Sequence, residues 1–272
     1  MRDFFRLWVA FLRRDFLHAA SYRMSFVFGL VPLFFYLVVF FFMGKIFSGV
    51  GSGYLAGYGG EYFPFVVVGL AVQNLAGAGL TGFAQAIANE QYLGTLEPVL
   101  AAGRGAFRVL AAASLARNTL SSTRLIFYLV AAAVIFGVPF RAAGVPLFVA
   151  VVLLTAAAYF GLGMLSAAFV LAYKQGNPVN VIFGELSAVL AGVYFPLAVL
   201  PAWLRAVAKF LPLTYALEVA RRALLTGGPA PPGTGRGLLI LGCFAAASLT
   251  VGAAAFQWAF RRARREGSLA WY

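Results

Sequence analysis

Residues 24 to 44, MSFVFGLVPLFFYLVVFFFMG, lie between Arg23 and Lys45 and carry no charged side chain. No other feature constrains the fold as strongly. In lipid, water cannot serve the peptide groups of such a run, so each N–H and C=O must find its partner within the segment, and a single chain solves this as an α-helix. Roughly 20 apolar residues cross the hydrocarbon core. Comparable uncharged runs recur at 62–88, 145–172 and 237–260, while two weaker ones, 120–138 and 179–200, are interrupted by Arg124 and Glu185. Hydrophobic residues make up 62% of the chain and charged ones 11%, with a mean hydropathy of +0.89, far outside the range of a water-soluble domain. The reading is an all-α integral membrane protein with six transmembrane helices, forming one domain over residues 1–272. No loop is long enough to fold alone.

Charge sets the orientation. The formal net charge is +13, and the basic residues gather at the two ends: Arg2, Arg6, Arg13, Arg14 and Arg23 precede the first span, and RRARREG follows the last. That pattern reads as membrane orientation rather than nucleic-acid binding. Both termini are expected in the cytoplasm, with which an even number of spans agrees, and the N-terminal segment reads as retained rather than as a cleaved signal. Within residues 1–23, Arg2, Arg6 and Arg13 share one helical face, and Phe4, Phe5, Trp8, Phe11, Leu12 and Phe16 share the other. This predicts a helix lying in the headgroup plane. Asp15 falls on the apolar side and suggests a protein contact there. One stretch fits the orientation poorly: residues 201–236 should be external, yet hold Arg205, Lys209, Arg221, Arg222 and Arg236.

Several chemistries lack their parts. No phosphate-binding loop occurs, and the one Gly-Lys pair, Gly44 and Lys45, has no upstream glycine. A single histidine, His18, and a single cysteine, Cys243, are too few for a metal site or a nucleophile–histidine pair. The chain reads as no enzyme, with no catalytic, metal or cofactor-binding residues of its own. Ionisable or amide side chains at membrane depth are the candidates for a pathway or gate: Glu185, then Gln73 and Asn74, each of which can equally serve helix packing. Small residues four apart, Ala157 and Gly161 or Gly163 and Ala167, read as helix contacts.

Between the second and third runs lies a polar segment, NEQYLGTLEPVLAAGRG, residues 89–105. Leu93, Leu96 and Leu100 can form an apolar ridge with Glu90 and Glu97 displayed beside it, and Pro98 either begins or kinks a helix there. About a hundred residues later comes LAGVYFPLAVLPAWLRAVAKFLPLTYALEVARRALL. In it Trp203, Leu204, Val207, Ala208 and Leu211 alternate with Arg205 and Lys209 at helical spacing, broken by Pro196, Pro201 and Pro212.

NEQYLGTLEPVL together with this second stretch, with spans between, resembles the membrane subunit of ABC-2 type ABC transporters over nearly the whole chain. The resemblance implies that 89–105 is a cytoplasmic coupling loop docking on a separate ATPase, carried here by Glu90, Gly94, Thr95, Leu96 and Glu97. It implies that 201–226 forms external re-entrant helices, whose cations snorkel at the headgroups. Tyr194, Phe195, Trp203 and Tyr215 would then ring an external exit. Two ATPase subunits, binding ATP and magnesium, and a second permease copy are the implied partners, with a homodimer favoured over a heterodimer. Membrane lipid is a further partner and nucleic acid is not. The implied function is ATP-driven export of a hydrophobic, amphipathic or lipid-linked substrate from the cytoplasmic membrane of a prokaryote. RRDFLHAASYRMSF leading into the first span is similar to the drug and lipid exporter branch rather than the polysaccharide branch. The alternatives are a lipid-linked glycan exporter of the same family, or an ATP-independent channel or assembly protein.

Overall fold

The computed structural model describes residues 2–46, 52–92, 106–173, 177–226 and 233–265. Among these residues the regular elements are all helical. The longer ones are α1 (Arg2–Ser21), α2 (Arg23–Ile46), α3 (Tyr62–Tyr92), α4 (Ala106–Val134), α5 (Val145–Tyr173) and α6 (Pro178–Leu190). Two short helices, α7 (Ala202–Ala208) and α8 (Pro212–Arg221), lead to the last, α9 (Thr234–Arg265).

Among the described residues, four helical stretches are long and apolar enough to cross a membrane: Val27–Ile46, Tyr62–Ala88, Ala142–Tyr173 and Thr234–Ala263. They correspond to the four uncharged runs of the sequence. The two interrupted runs fold differently from a plain span. Of residues 120–138 only 120–134 fall in a helix, the second half of α4, which has 29 residues, starts at Ala106 and ends at Val134 before a turn at 135–136; α4 is made polar by Arg117, Asn118 and the SSTR stretch at 121–124. Residues 179–200 are continuously helical only as far as Leu190, with a separate 3-10 turn at Leu197–Val199, and Val181–Leu186 within α6 are wound as a π-helix. Asn177 fixes the start of α6: its side chain accepts from the Asn180 N–H at 3.1 Å and donates to Ser166 of α5 at 2.6 Å. A cap of this kind satisfies a helix end that lipid would leave bare.

α3 is apolar on all sides, which suits a helix surrounded by protein. Phe65, Val66, Val67 and Val68 are fully buried, and α2, α4, α5 and α8 pack around it. α5 is held close to α3 and α9 by glycines. A Cβ on Gly163 would collide with the Gly79 carbonyl, and one on Gly252 with the Gly161 carbonyl, so these backbones touch as small residues allow in lipid. The glycine spacing noted in the sequence is thus used for packing.

The two ends of the bundle are distinct. At one end Phe83, Phe107, Phe160 and Phe256 cluster, with the Phe83 and Phe256 rings 4.7 Å apart. At the other end the Arg141 N–H donates to the Leu224 carbonyl at 2.9 Å, Gly144 abuts Ala223, and a Cβ on Gly59 would stand 3.8 Å from Leu225. α4 begins at the first end, with Phe107, and leads to Arg141 at the second. It therefore runs the length of the bundle, antiparallel to α3. α1 lies along α4, with Phe4, Leu7, Trp8, Phe11, Leu12 and Asp15 on its half-buried side. Asp15 accepts from Arg14 at 3.1 Å there. Phe5 and Phe16, placed on the apolar face by the sequence, are exposed.

Candidate functional site

The segment after α6 poses a problem of unsatisfied carbonyls. α6 stops at Leu190, and Gly192, with φ +81°, turns the chain in a left-handed conformation that glycine adopts without penalty. The turn leaves the Gly192 and Val193 carbonyls pointing inward, where lipid and packed protein offer no water. Arg221 answers them. Its Nη1 donates to the Gly192 carbonyl at 2.9 Å, Nη2 to Val193 at 2.8 Å, and Nε to the Phe65 carbonyl of α3 at 3.0 Å. The guanidinium also lies 3.4 Å from the centroid of the Phe65 ring, a close cation–π contact. Only 4% of the residue is exposed. Gly69 makes the approach possible, because a Cβ there would stand 2.6 Å from the Val193 oxygen and 2.7 Å from Nη2. One side chain thus ties α8, the turn after α6 and the start of α3 into a clasp.

The rest of the hairpin is closed by similar bonds. Arg205 donates to the Ala198 and Leu200 carbonyls at 3.2 and 3.0 Å. Thr214 donates to the Ala208 carbonyl at 2.7 Å, and the Tyr215 hydroxyl to that of Lys209 at 3.0 Å. Arg222 pairs with Glu218 at 2.8 Å on the stripe beside that of Arg221.

The sequence-derived pathway residues are scattered around this hairpin. Tyr194 is half-buried and stacks on Phe40 of α2, with centroids 5.8 Å apart, and Phe195 is half-buried beside it in the chain. Trp203 is exposed, and Tyr215 meets Phe244 of α9 at 6.2 Å. Among the described residues these four rings do not stack on one another. Gln73 and Asn74 sit half-buried on α3, and the Gln73 Oε1 is enclosed without a hydrogen-bond partner among the described residues. Glu185 is exposed, within the π-helical part of α6. Of the coupling residues, Glu90 belongs to the last turn of α3. Gly94, Thr95, Leu96 and Glu97 lie outside the described residues. No group of three or more metal-ligating side chains occurs among the described residues.

Sequence reading placed Arg221 with the snorkelling cations and so missed its role. A signal existed: Leu213, Leu217 and Arg221 are spaced by four on α8, so Arg221 extends the buried apolar stripe, while Glu218 and Arg222 form the neighbouring polar one.

A bundle of long apolar helices around a largely buried central one, with a broken helix and a hairpin clasped at one end, defines a multi-pass α-helical membrane protein. Residues 6–225 match the model of the ABC-2 type transporter family, and the chain belongs to that family. Its members are membrane transport subunits that work with an ABC ATPase. No curated protein matches the chain.

Proposed function

We propose that this chain is the permease half of an ATP-driven exporter in the cytoplasmic membrane of a prokaryote, closer to the drug and lipid exporters of its family than to the polysaccharide branch. Six spans form the half, with both termini cytoplasmic. α4 supplies the third: its 29 residues reach about 43 Å at 1.5 Å per residue. α6 and the turn that follows it supply the fifth, and α7 and α8 form an external re-entrant hairpin. α1 lies in the cytoplasmic headgroup layer. A second copy completes the pathway, and two ATPase subunits dock on the loops at 89–105.

Family membership over residues 6–225 carries the reading. The rigidity of α3 supports it. This one helix holds Glu90 at the end that opens into the coupling loop and Phe65 at the end gripped by Arg221, so a push on the loop can pass to the external hairpin without being absorbed. ATP-driven closure of the motors would rock the two halves and release an amphipathic or lipid-linked substrate outward. ATP and magnesium stay with the partner subunit.

Purification from the native host in mild detergent tests this directly. A soluble ATPase should accompany the chain and be lost on Glu97→Lys, with the permease still folded and in the membrane. Absence of any ATPase, under conditions that preserve a known ABC complex, would favour an ATP-independent channel or assembly protein.

A further inference from the structure

Neither the coupling loop nor the clasp uses the polar groups at the centre of the bundle. Ser114 of α4 faces Gly82 of α3, its Oγ 3.4 Å from where a Cβ would stand. Because the helices are antiparallel, ten residues on along α4 and ten residues back along α3 arrive at the same level. Those residues are Arg124 and Val72, beside Gln73 and Asn74. Val72 to Asn74 lie at the middle of the stretch Tyr62–Ala88. On the six-span reading, in which α4 crosses beside α3, Arg124 is at the level of the bilayer midplane.

It is exposed there, and among the described residues it makes no hydrogen bond or ion pair. An arginine at this depth needs a partner or a watered cavity. Arg117, seven residues earlier on α4, shares its face two turns nearer the Phe107 end. One turn in the other direction is Tyr128, on which Arg124, Tyr36 of α2 and Tyr194 all act electrostatically. The nearest carboxylate by level, Glu185, follows Gly184, which touches Leu80 of α3. Leu80 is eight residues from Val72, about 12 Å along the helix. Glu185 nevertheless acts electrostatically on Tyr194, so the group holds two cations and three phenols against one acid and keeps a net positive, donor-rich character.

We propose that Arg124 is a substrate-recognition residue that binds the anionic head, a phosphate or carboxylate, of a single-tailed amphiphilic cargo. Arg117 is an earlier contact on the cytoplasmic side, and the hydroxyls of Tyr36, Tyr128 and Tyr194 are donors beyond it. A guanidinium fork matches either oxyanion in two parallel bonds. This inference rests on the exporter reading and specifies its substrate class.

The test uses the full chain in nanodiscs of zwitterionic lipid, with a fluorescent long-chain alkyl phosphate as probe and an alkyl trimethylammonium of equal length as the cationic control. Saturable binding of the phosphate should weaken about tenfold or more in Arg124→Gln, by a smaller factor in Arg124→Lys, whose point charge replaces only part of the fork, and hold or tighten in Glu185→Gln. The cationic probe should show no site sensitive to Arg124. Monodispersity and ATPase co-purification are followed in each variant. Intact ATPase capture with phosphate binding indifferent to Arg124→Gln would overturn this inference alone, whereas failure to capture any ATPase in the parent chain would remove the reading beneath it. Two other results would also overturn it. Competition by anionic bilayer lipid at equal mole fraction would mark a resident-lipid site, and rescue of Arg124→Glu by Glu185→Arg would mark an ion pair between copies.

Discussion

Arg221 bonds three carbonyls from two separate parts of the chain, and its loss strands all three in a site without water. Each stranded group costs about 1–3 kcal/mol, and lysine can replace only part of the fork because its ammonium is a point charge. Arg221→Ala should therefore lower the thermal midpoint of the detergent-purified protein by several degrees, with Arg221→Lys intermediate. Gly69→Ala attacks the same clasp from the other side, since its methyl would occupy the space of the Val193 oxygen and Nη2. The double variant should lose clearly less than the sum of the singles, as residues sharing one interaction do. Additive losses would show that Gly69 and Arg221 act independently. Such a residue is hard to read from sequence. Arg221 and Arg222 are adjacent and chemically identical, yet one is enclosed and the other pairs with Glu218 at the rim. The register of α8 separates them, and that register becomes visible only when Leu213 and Leu217 are known to face the core.

Elements that depend on one strong physical requirement were legible, and those that depend on tertiary partners were not. The four uncharged runs had to be helices wherever they packed, and α2, α3, α5 and α9 contain them. α4 and α6 behaved otherwise because protein, not lipid, sets their limits. α4 extends fourteen residues before the expected start at 120, with α1 and α3 packed against it. α6 ends at Leu190 because Arg221 supplies the bonds that a continuing helix would have made. The apolar helices in turn are spaced by glycine, and this reverses an ordinary propensity. Alanine normally stabilises a helix over glycine by up to about 1 kcal/mol. At Gly163 it should destabilise, because the added methyl meets the Gly79 carbonyl, whereas Gly29→Ala on α2, where nothing lies within 4 Å, should be neutral or mildly stabilising. Thermal unfolding of the two variants side by side checks the pair, and equal behaviour would mean that α3 and α5 are not so close.

At the scale of the whole molecule, one position distinguishes a six-span chain, in which α4 and α6 cross the bilayer, from a four-span one. If only the four fully apolar helices cross, the chain leaves α3 in the cytoplasm, stays there through α4, and crosses outward in α5, so that Tyr173 emerges outside. If α4 also crosses, α5 returns inward and Tyr173 is cytoplasmic. Both schemes place the termini together, so fusions at the ends cannot separate them. The bundle favours the second, because Arg141 bonds Leu224 at the end that also holds Gly59, while Phe107 packs with Phe83 and Phe256 at the other. Cys243 is the chain's single cysteine, so Cys243→Ser gives a background free of thiols. Tyr173 is exposed at the end of α5, which makes Tyr173→Cys a fair reporter. In intact cells this variant should resist a membrane-impermeant maleimide and label only after permeabilisation, while Tyr54→Cys, in the exposed turn between α2 and α3, should label without it. Labelling of position 173 in intact cells would reduce the spans to four. It would also take the interior away from Arg124, and with it the physical reason for an anionic cargo at the midplane.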